Sequence, residues 1–168
     1  NASKISIEGF LKKYDQFPIS VVDGVSLANK GADFEVLGNE NIITEGKGKT
    51  RGLEFLFQQK LTNNFYGIFS YTFFKSEFTD INGNYLPSVW DSKHLSSFSG
   101  GYKLKKNWEI SSRWRFSGKT PYVPYNLDAS LANYPNMILD YSQLGNVKLG
   151  NFSQVDIRFD KKWNKENI

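Results

Sequence analysis

Apolar and polar side chains alternate along residues 50–78, and this alternation predicts a β-hairpin. Aromatic and branched residues take every second position from Leu53 to Phe57 and, with Gly67 among them, from Phe65 to Phe73. If both apolar sets share one face, residues 62–64 form a three-residue loop between the two strands. That register predicts two pairs on the apolar face and one on the polar face: Phe57 with Phe69, Phe55 with Tyr71, and Glu54 with Thr72.

The same period of two predicts further strands on both sides of this hairpin. They cover residues 4–14, 93–104, 108–116 and 152–163. A tight reversal at 104–106 places Tyr102 opposite Trp108 if the apolar positions of both strands share a face. The predicted fold class is therefore all-β, an antiparallel meander of about six long strands.

Long and short connections alternate along the chain. The long ones are residues 15–49, 79–92 and 117–151, and the short ones are 62–64 and 104–106. Since consecutive antiparallel strands reverse direction, every long connection lies at one end of the sheet and every tight turn at the other. This asymmetry is typical of outer-membrane β-barrels, which have short periplasmic turns and long extracellular loops.

Composition is compatible with a barrel wall. The chain has 16% aromatic residues, yet its mean hydropathy is only -0.48, as expected where lipid-facing and polar positions alternate. It has no cysteine and no apolar run long enough for a membrane-spanning helix, and nothing at its start resembles a signal peptide. The net charge of +4 is spread over all segments, which argues against nucleic-acid binding.

Aromatic residues also fall into two tiers along the predicted strands. The tier near the tight turns contains Phe65, Trp108 and Trp163, and the tier toward the long loops contains Tyr71, Phe73, Trp114 and Phe116. Two tiers resemble the girdles that flank the apolar band of a barrel. The alternative is a soluble all-β carbohydrate-binding module, in which this apolar face would be buried between two sheets.

Several segments together carry a family resemblance. They are 10–20 (FLKKYDQFPIS), 46–61 (GKGKTRGLEFLFQQKL), 71–78 (YTFFKSEF), 90–94 (WDSKH), 113–125 (RWRFSGKTPYVPY) and 152–162 (FSQVDIRFDKK). This combination, which covers nearly the whole chain, resembles the C-terminal barrel strands of TonB-dependent outer-membrane receptors. It is most similar to the Bacteroidetes-type branch, whose members carry a carboxypeptidase-regulatory-like domain before the plug.

The resemblance implies that residues 1–168 are a single fragment of a transmembrane β-barrel domain, without the plug and the remaining strands. Such barrels have about 22 strands, so about six strands form roughly a quarter of the wall. The TonB-contacting segment is absent, and Ile168 stands where these barrels usually end in an aromatic residue. The implied function is active uptake of a scarce ligand (siderophore, cofactor or glycan) through the outer membrane. The implied partners are outer-membrane lipid and, through the plug, TonB.

Charged side chains on the polar face are candidates for the barrel interior: Glu54, Arg113, Arg115, Asp156, Arg158 and Asp160. They either contact the plug and guide an anionic ligand or form a structural ladder of salt bridges and hydrogen bonds. Leu56, Ile68 and Phe74 are apolar on this face. They either pack on a plug or an infolded loop, or mark a bulge that switches the face.

The last long loop carries the candidate ligand contacts: Tyr122, Tyr125, Asn126, Tyr134 and Tyr141, with Asn133 and Asn136 nearby. Tyrosine rings stack on flat ligands and amides donate and accept hydrogen bonds, so the loop resembles a surface for a sugar or a chelate. The alternative is structural, because Tyr, Asn and Pro are ordinary loop residues.

Enzyme is the least supported class, because the chain has no nucleophile elbow, phosphate-binding loop or HExxH motif. No catalytic residue, cofactor or metal site is predicted. His94 near Asp91 is interpreted as a polar residue at a strand start rather than as a dyad. Five acidic residues could be read as calcium ligands but lack the required spacing: Asp15, Asp23, Asp33, Glu35 and Glu40.

An isolated sheet of about six strands has open edges and an uncovered aromatic face, which predicts self-association or dependence on detergent.

Overall fold

The computed structural model describes residues 2–30 and 38–163. In these ranges the chain forms one antiparallel sheet of seven strands, in the order β1-β2-β3-β5-β6-β7, with the short β4 paired to β3. The strands are β1 Ser3–Ser20, β2 Ile42–Thr62, β3 Phe65–Thr79, β4 Tyr85–Pro87, β5 His94–Lys103, β6 Trp108–Ser117 and β7 Phe152–Lys161. The last connection contains a short helix, α1 Leu127–Ala132. No helix in the described ranges is both long and apolar enough to cross a membrane.

The predicted meander and the register of its central hairpin are confirmed. Phe57 lies opposite Phe69, and Phe55 lies opposite Tyr71. The turn itself differs from the predicted loop at 62–64, because Thr62 pairs with Phe65 after a register shift. Only Asn63 and Asn64 connect the strands, with φ values of 47° and 73°. Asparagine tolerates this left-handed conformation, so a two-residue turn with an adjacent bulge forms here.

The predicted register of the second hairpin is wrong by two residues. Tyr102 lies opposite Ile110 rather than Trp108. The reversal uses residues 105–107, where Lys106 and Asn107 have positive φ values of 57° and 60°. A shift by two keeps every side chain on its predicted face, because side chains alternate with a period of two.

The first two strands are longer than predicted. β1 continues past Tyr14 to Ser20 and β2 begins at Ile42, so much of the predicted loop 15–49 is strand. Pairing continues across register shifts beside Gln16, whose φ is 55°. The bulge interrupts the alternation of apolar and polar residues, which hides the strand from a period-two analysis.

One face of the sheet carries an exposed band of apolar side chains. A single row runs across six strands, through Ile5, Phe57, Phe69, Phe98, Trp114 and Val155. Neighbouring rows are open as well: Ile7 is 72% exposed, Leu53 58% and Ile157 63%. No second sheet or helix covers the band in the described ranges. The soluble sandwich would bury this face, so the structure favours the barrel wall.

The buried side chains lie instead at the end of the sheet where the long loops meet. This set combines apolar residues with an unusual share of polar ones: Ile19, Val25, Ala28, Phe78, Leu144, Ser20, Ser26, Asn29, Ser76, Ser88 and Asp91. The long strands therefore support a compact loop cluster beyond the apolar band.

Candidate functional site

Aromatic rings form the base of the loop cluster. The Phe78 ring lies 4.5 Å from that of Phe17, 5.4 Å from that of Tyr14 and 5.9 Å from that of Trp90, measured between centroids. Gly48 makes this possible, because a Cβ there would lie 2.5 Å from Cδ1 of Phe78. Three segments that are distant in sequence therefore pack at one point.

A buried polar network continues from this aromatic base. The backbone N–H of Ser76 donates to Oδ1 of Asp91 at 2.9 Å. The Ser76 hydroxyl accepts from Nε1 of Trp90 at 3.1 Å and lies 2.9 Å from Oγ1 of Thr50. Burial raises the pKa of the Asp91 carboxyl above its usual range, against the opposing effect of the Ser76 hydrogen bond. Asp91 thus fixes the loop after β4 to the end of β3.

Two ion pairs and a hydrogen bond hold the first long loop in place. Nζ of Lys30 lies 2.5 Å from Oδ2 of Asp23 and 2.5 Å from Oε1 of Glu40. Burial alone would lower the pKa of Lys30, but these hydrogen bonds outweigh it and raise that pKa, while Lys30 lowers the pKa of Glu40. Asn29 Nδ2 donates to the carbonyl oxygen of Pro87 at 2.6 Å, which joins this loop to β4.

The last long loop is more ordered than its sequence pattern predicts. Asn126 caps α1, since its Oδ1 accepts from the N–H of Ala129 at 3.0 Å. Tyr125 bridges to Leu139, and Tyr134, which is 86% exposed, points to solvent. Leu144 is buried, and a Cβ on the adjacent Gly145 would lie 2.9 Å from Pro87 Cγ, so this loop packs on β4.

The predicted tyrosines differ in their surroundings. Tyr141 is half-buried, and its ring centroid lies 6.0 Å from Nζ of Lys30, which links the last loop to the first. Tyr122 is also half-buried, and its N–H donates to the carbonyl oxygen of Val147 at 3.1 Å. Of the predicted tyrosine contacts, only Tyr125 and Tyr134 are exposed.

The predicted inward charges share the face opposite the apolar band. Arg113 lies directly across from Asp156, and Arg115 donates to Oε1 of Gln154 at 2.9 Å. Arg158 pairs within its own strand with Asp160 at 2.7 Å. Glu54 lies opposite Thr72 on one side and Glu8 on the other. Cations and carboxylates are therefore mixed along this face, as a ladder of ion pairs and hydrogen bonds requires.

Sequence reasoning missed one polar contact on this face. The Tyr66 hydroxyl donates to Oε1 of Glu109 at 2.5 Å, across β5. Gly101 on β5 allows it, because a Cβ there would lie 2.6 Å from the Tyr66 oxygen. The sequence did carry a signal for this contact: two consecutive glycines on one strand, with a tyrosine and a glutamate on the two neighbouring strands.

The apolar residues on the inward face are not explained by a bulge. The β2–β3 register is unbroken from Gly48 to Gln59, so Leu56 and Ile68 remain on the polar face. Phe74 is 8% exposed and lies over Gly52, where a Cβ would be 2.8 Å from Phe74 Cβ. Of the two interpretations, packing on a plug or an infolded loop stays a prediction.

The remaining candidates have structural partners. Nδ1 of His94 lies 2.8 Å from the Tyr71 hydroxyl on the apolar face, whereas Asp91 accepts from Ser76, so these two residues form no dyad. Asp23 and Glu40 are paired to Lys30, and Asp15 is exposed. Asp33, Glu35 and Ile168 lie outside the described residues.

The exposed apolar band, the charged opposite face and the segregated long loops define a segment of an outer-membrane-type β-barrel wall. Residues 1–167 match the family model described as TonB dependent receptor-like, beta-barrel. The chain belongs to this family of receptor barrels. No curated protein sequence matches it.

A solved structure has a similar fold. It is the crystal structure of the ferripyoverdine receptor of the outer membrane of Pseudomonas aeruginosa bound to ferripyoverdine. The TM-score is 0.62 at 17% sequence identity, and the match covers 94% of this chain and 19% of that receptor. The chain thus spans about a fifth of the length of that receptor, and the likeness establishes the shared fold.

Proposed function

We propose that this chain forms part of the wall and the extracellular loops of an outer-membrane receptor that takes up a scarce ligand actively. The observation that carries the proposal is the apolar row from Ile5 to Val155, which is continuous across all six long strands and which no second layer covers in the described ranges. Lipid is the neighbour that such a face requires, and family membership supports an outer-membrane location. Import would be energised by TonB through a plug outside this segment.

The ligand class that we propose is a siderophore, a cofactor or a glycan, held in part by the last long loop. Exposed rings at Tyr125 and Tyr134 offer stacking surfaces, and Tyr141 lies beside the cation of Lys30. The amide of Asn126 already caps α1, so it supports the loop conformation rather than offering a free donor and acceptor. The siderophore receptor with a similar fold supports an iron chelate among these classes.

Growth of a deletion strain on single sources of iron, vitamin or glycan tests this function. We expect loss of growth on one class only, with rescue by the full-length gene. A matched pair of variants, Tyr134→Ala and Met137→Ala, separates ring stacking from general loop effects, since both side chains are exposed in the same loop. Unimpaired growth of the deletion strain on every source would contradict an uptake function.

Fractionation of cells that express the full-length receptor tests its location independently. We expect it in the outer membrane after detergent extraction.

We also propose that the isolated segment self-associates or requires detergent, because β1 and β7 each have one open edge in the described ranges. Light scattering that finds a compact monomer without detergent would contradict this. The Bacteroidetes-type branch stays a prediction.

A further inference from the structure

A double row of basic side chains borders the apolar band at the long-loop end of β1, β2 and β3. The first row reads Leu11, Arg51 and Lys75, and the second reads Lys13, Lys49 and Glu77. In the unbroken register these residues face the same side as Phe57 and Phe69, the outward side of the wall. We call Lys13, Lys49, Arg51 and Lys75 the basic belt.

The belt places like charges directly opposite each other. Arg51 pairs across the sheet with Lys75, and Lys13 pairs with Lys49. Such pairs are destabilising because the Cβ atoms of opposite residues lie only about 4.5 to 5.5 Å apart. A sheet that carries two of them in adjacent rows requires nearby negative charge.

The described residues supply only part of that charge. The Glu77 carboxylate lies 2.6 Å from Nζ of Lys75 and 3.7 Å from Nζ of Lys49. Lys13 and Arg51 are exposed and form no ion pair with any residue in 2–30 or 38–163. One carboxylate faces four cations, so the two rows keep a net positive charge.

The position of the belt along the membrane normal indicates which molecule supplies the missing negative charge. Leu53 and Phe73 form the last fully apolar pair of the band, and Arg51 and Lys75 follow two residues later. Two residues advance about 6.6 Å along a strand, or about 5 Å along the membrane normal at a tilt near 40°. The two rows therefore lie about 5 to 10 Å beyond the apolar band, at the depth of lipid headgroups. Lys49 also lies 3.7 Å from the centroid of the Tyr85 ring, an amphipathic residue typical of this depth.

We propose that the basic belt binds the phosphate groups of an anionic lipid in the outward leaflet of the membrane. A lipid reaches the belt and the apolar band at once, since its acyl chains cover the rings below while its phosphates neutralise the cations above. A soluble anion or an acidic protein would satisfy the belt alone. The proposal rests on the membrane location proposed above, and it is independent of which ligand is transported.

Lipid binding by the purified full-length receptor tests this site. The probes are mixed micelles that contain either bisphosphorylated lipid A or its dephosphorylated form. The variant is Lys13→Gln/Arg51→Gln/Lys75→Gln, and the matched control is Lys103→Gln/Lys105→Gln/Lys106→Gln, which removes three exposed cations at the tight-turn end. A basic residue near an anionic surface contributes about fivefold in affinity, so we expect the belt variant to bind phosphorylated lipid on the order of 100-fold more weakly. The control should change binding by less than about threefold.

Further measurements keep the test decisive. Outer-membrane fractionation and heat-modifiable gel migration establish that each variant is inserted and folded, so failure of the location and failure of the lipid site are distinguishable. If the belt variant does not fold, the wild type decides: equal affinity for phosphorylated and dephosphorylated lipid overturns the proposal. Equal weakening by the control variant, or full displacement of the lipid by inorganic phosphate, overturns it as well. The Lys13→Arg/Lys75→Arg variant keeps the charge and should bind as the wild type does.

Discussion

Replacement of Phe69 by arginine tests whether lipid covers the aromatic face of the sheet. Phe69 lies in the middle of the apolar band on β3, four residues from Phe65 at the tight-turn end and four from Phe73 at the loop end. Four residues extend about 13 Å along a strand, or about 10 Å along the membrane normal at a tilt near 40°. The side chain at position 69 is therefore close to the bilayer midplane.

The expected cost follows from this depth. Arginine on the lipid face costs about 2 to 4 kcal/mol at the midplane and about 0 to 1 kcal/mol near the interfaces. Phe69→Ala removes only packing, including the ring of Phe55 at 6.1 Å, so the difference between Phe69→Arg and Phe69→Ala isolates the charge. Ser70→Arg is the matched control, because the next residue faces the opposite side and loses only a hydroxyl contact of 2.8 Å with Ser97.

Unfolding of the full-length receptor from vesicles in urea, followed by tryptophan fluorescence, provides the free energies of unfolding. We expect Phe69→Arg to lower this free energy by about 2 to 4 kcal/mol more than Phe69→Ala, and Phe65→Arg to cost about 0 to 1 kcal/mol for its charge. Ser70→Arg should cost about 1 kcal/mol, the contribution of one hydrogen bond. If Ser70→Arg costs as much as Phe69→Arg, or if the cost does not fall toward position 65, lipid is not the neighbour of this face.

Three further predictions concern the loop end of the sheet. Asp91→Asn should slow hydrogen exchange in the loop cluster near pH 7, because burial raises the pKa of the Asp91 carboxyl and its ionisation costs stability. The wild type regains that stability as the pH falls toward about 4 and the carboxyl is protonated. If Asp91→Asn still slows exchange as strongly at that pH, the buried carboxylate is not the cause. Lys30→Met leaves two partly buried carboxylates without their cation and should destabilise the first loop by about 2 kcal/mol, measured as faster local proteolysis, whereas Lys30→Arg should be mild. Gly52→Ala places a Cβ 2.8 Å from that of Phe74 and should lower the yield of folded receptor, while Gly150→Ala, with no atom within 4 Å, should not; equal yields would contradict the packing.

The register of the central hairpin could be predicted because two constraints act together. Parity fixes the face of each strand, and the Asn63-Asn64 turn limits the slip, so Phe57 had to meet Phe69. In the second hairpin, parity alone does not determine the register. Any even shift keeps its faces correct, and Lys106 gives no sequence signal that it adopts a positive φ. Tyr102 therefore meets Ile110 instead of Trp108.

The loop cluster could not be predicted from local pattern. Asn29 and Pro87 are separated by 58 positions, and their hydrogen bond depends on two loops meeting in space. Asp91 is a buried carboxylate, and its partner, the backbone N–H of Ser76, lies on β3, 15 positions away. The face on which the inward arginines lie could be predicted, since it follows from alternation. Their ion-pair and hydrogen-bond partners could not be predicted from alternation, and Arg158 pairs with Asp160 on its own strand.

Strand length separates the wall from the loop end of the sheet. β1 has 18 residues and β2 has 21, whereas about 9 to 11 tilted residues cross a bilayer. The surplus raises the first two loops above the membrane, where Lys30, Asn29 and Asp91 join them to each other and to the sheet. Such ties make the loop base stiff. The segment around α1 is exposed, and its bridge between Tyr125 and Leu139 lies within the segment itself, so we expect movement on binding of the proposed ligand to be concentrated at residues 125–139 while the cluster beneath keeps its shape.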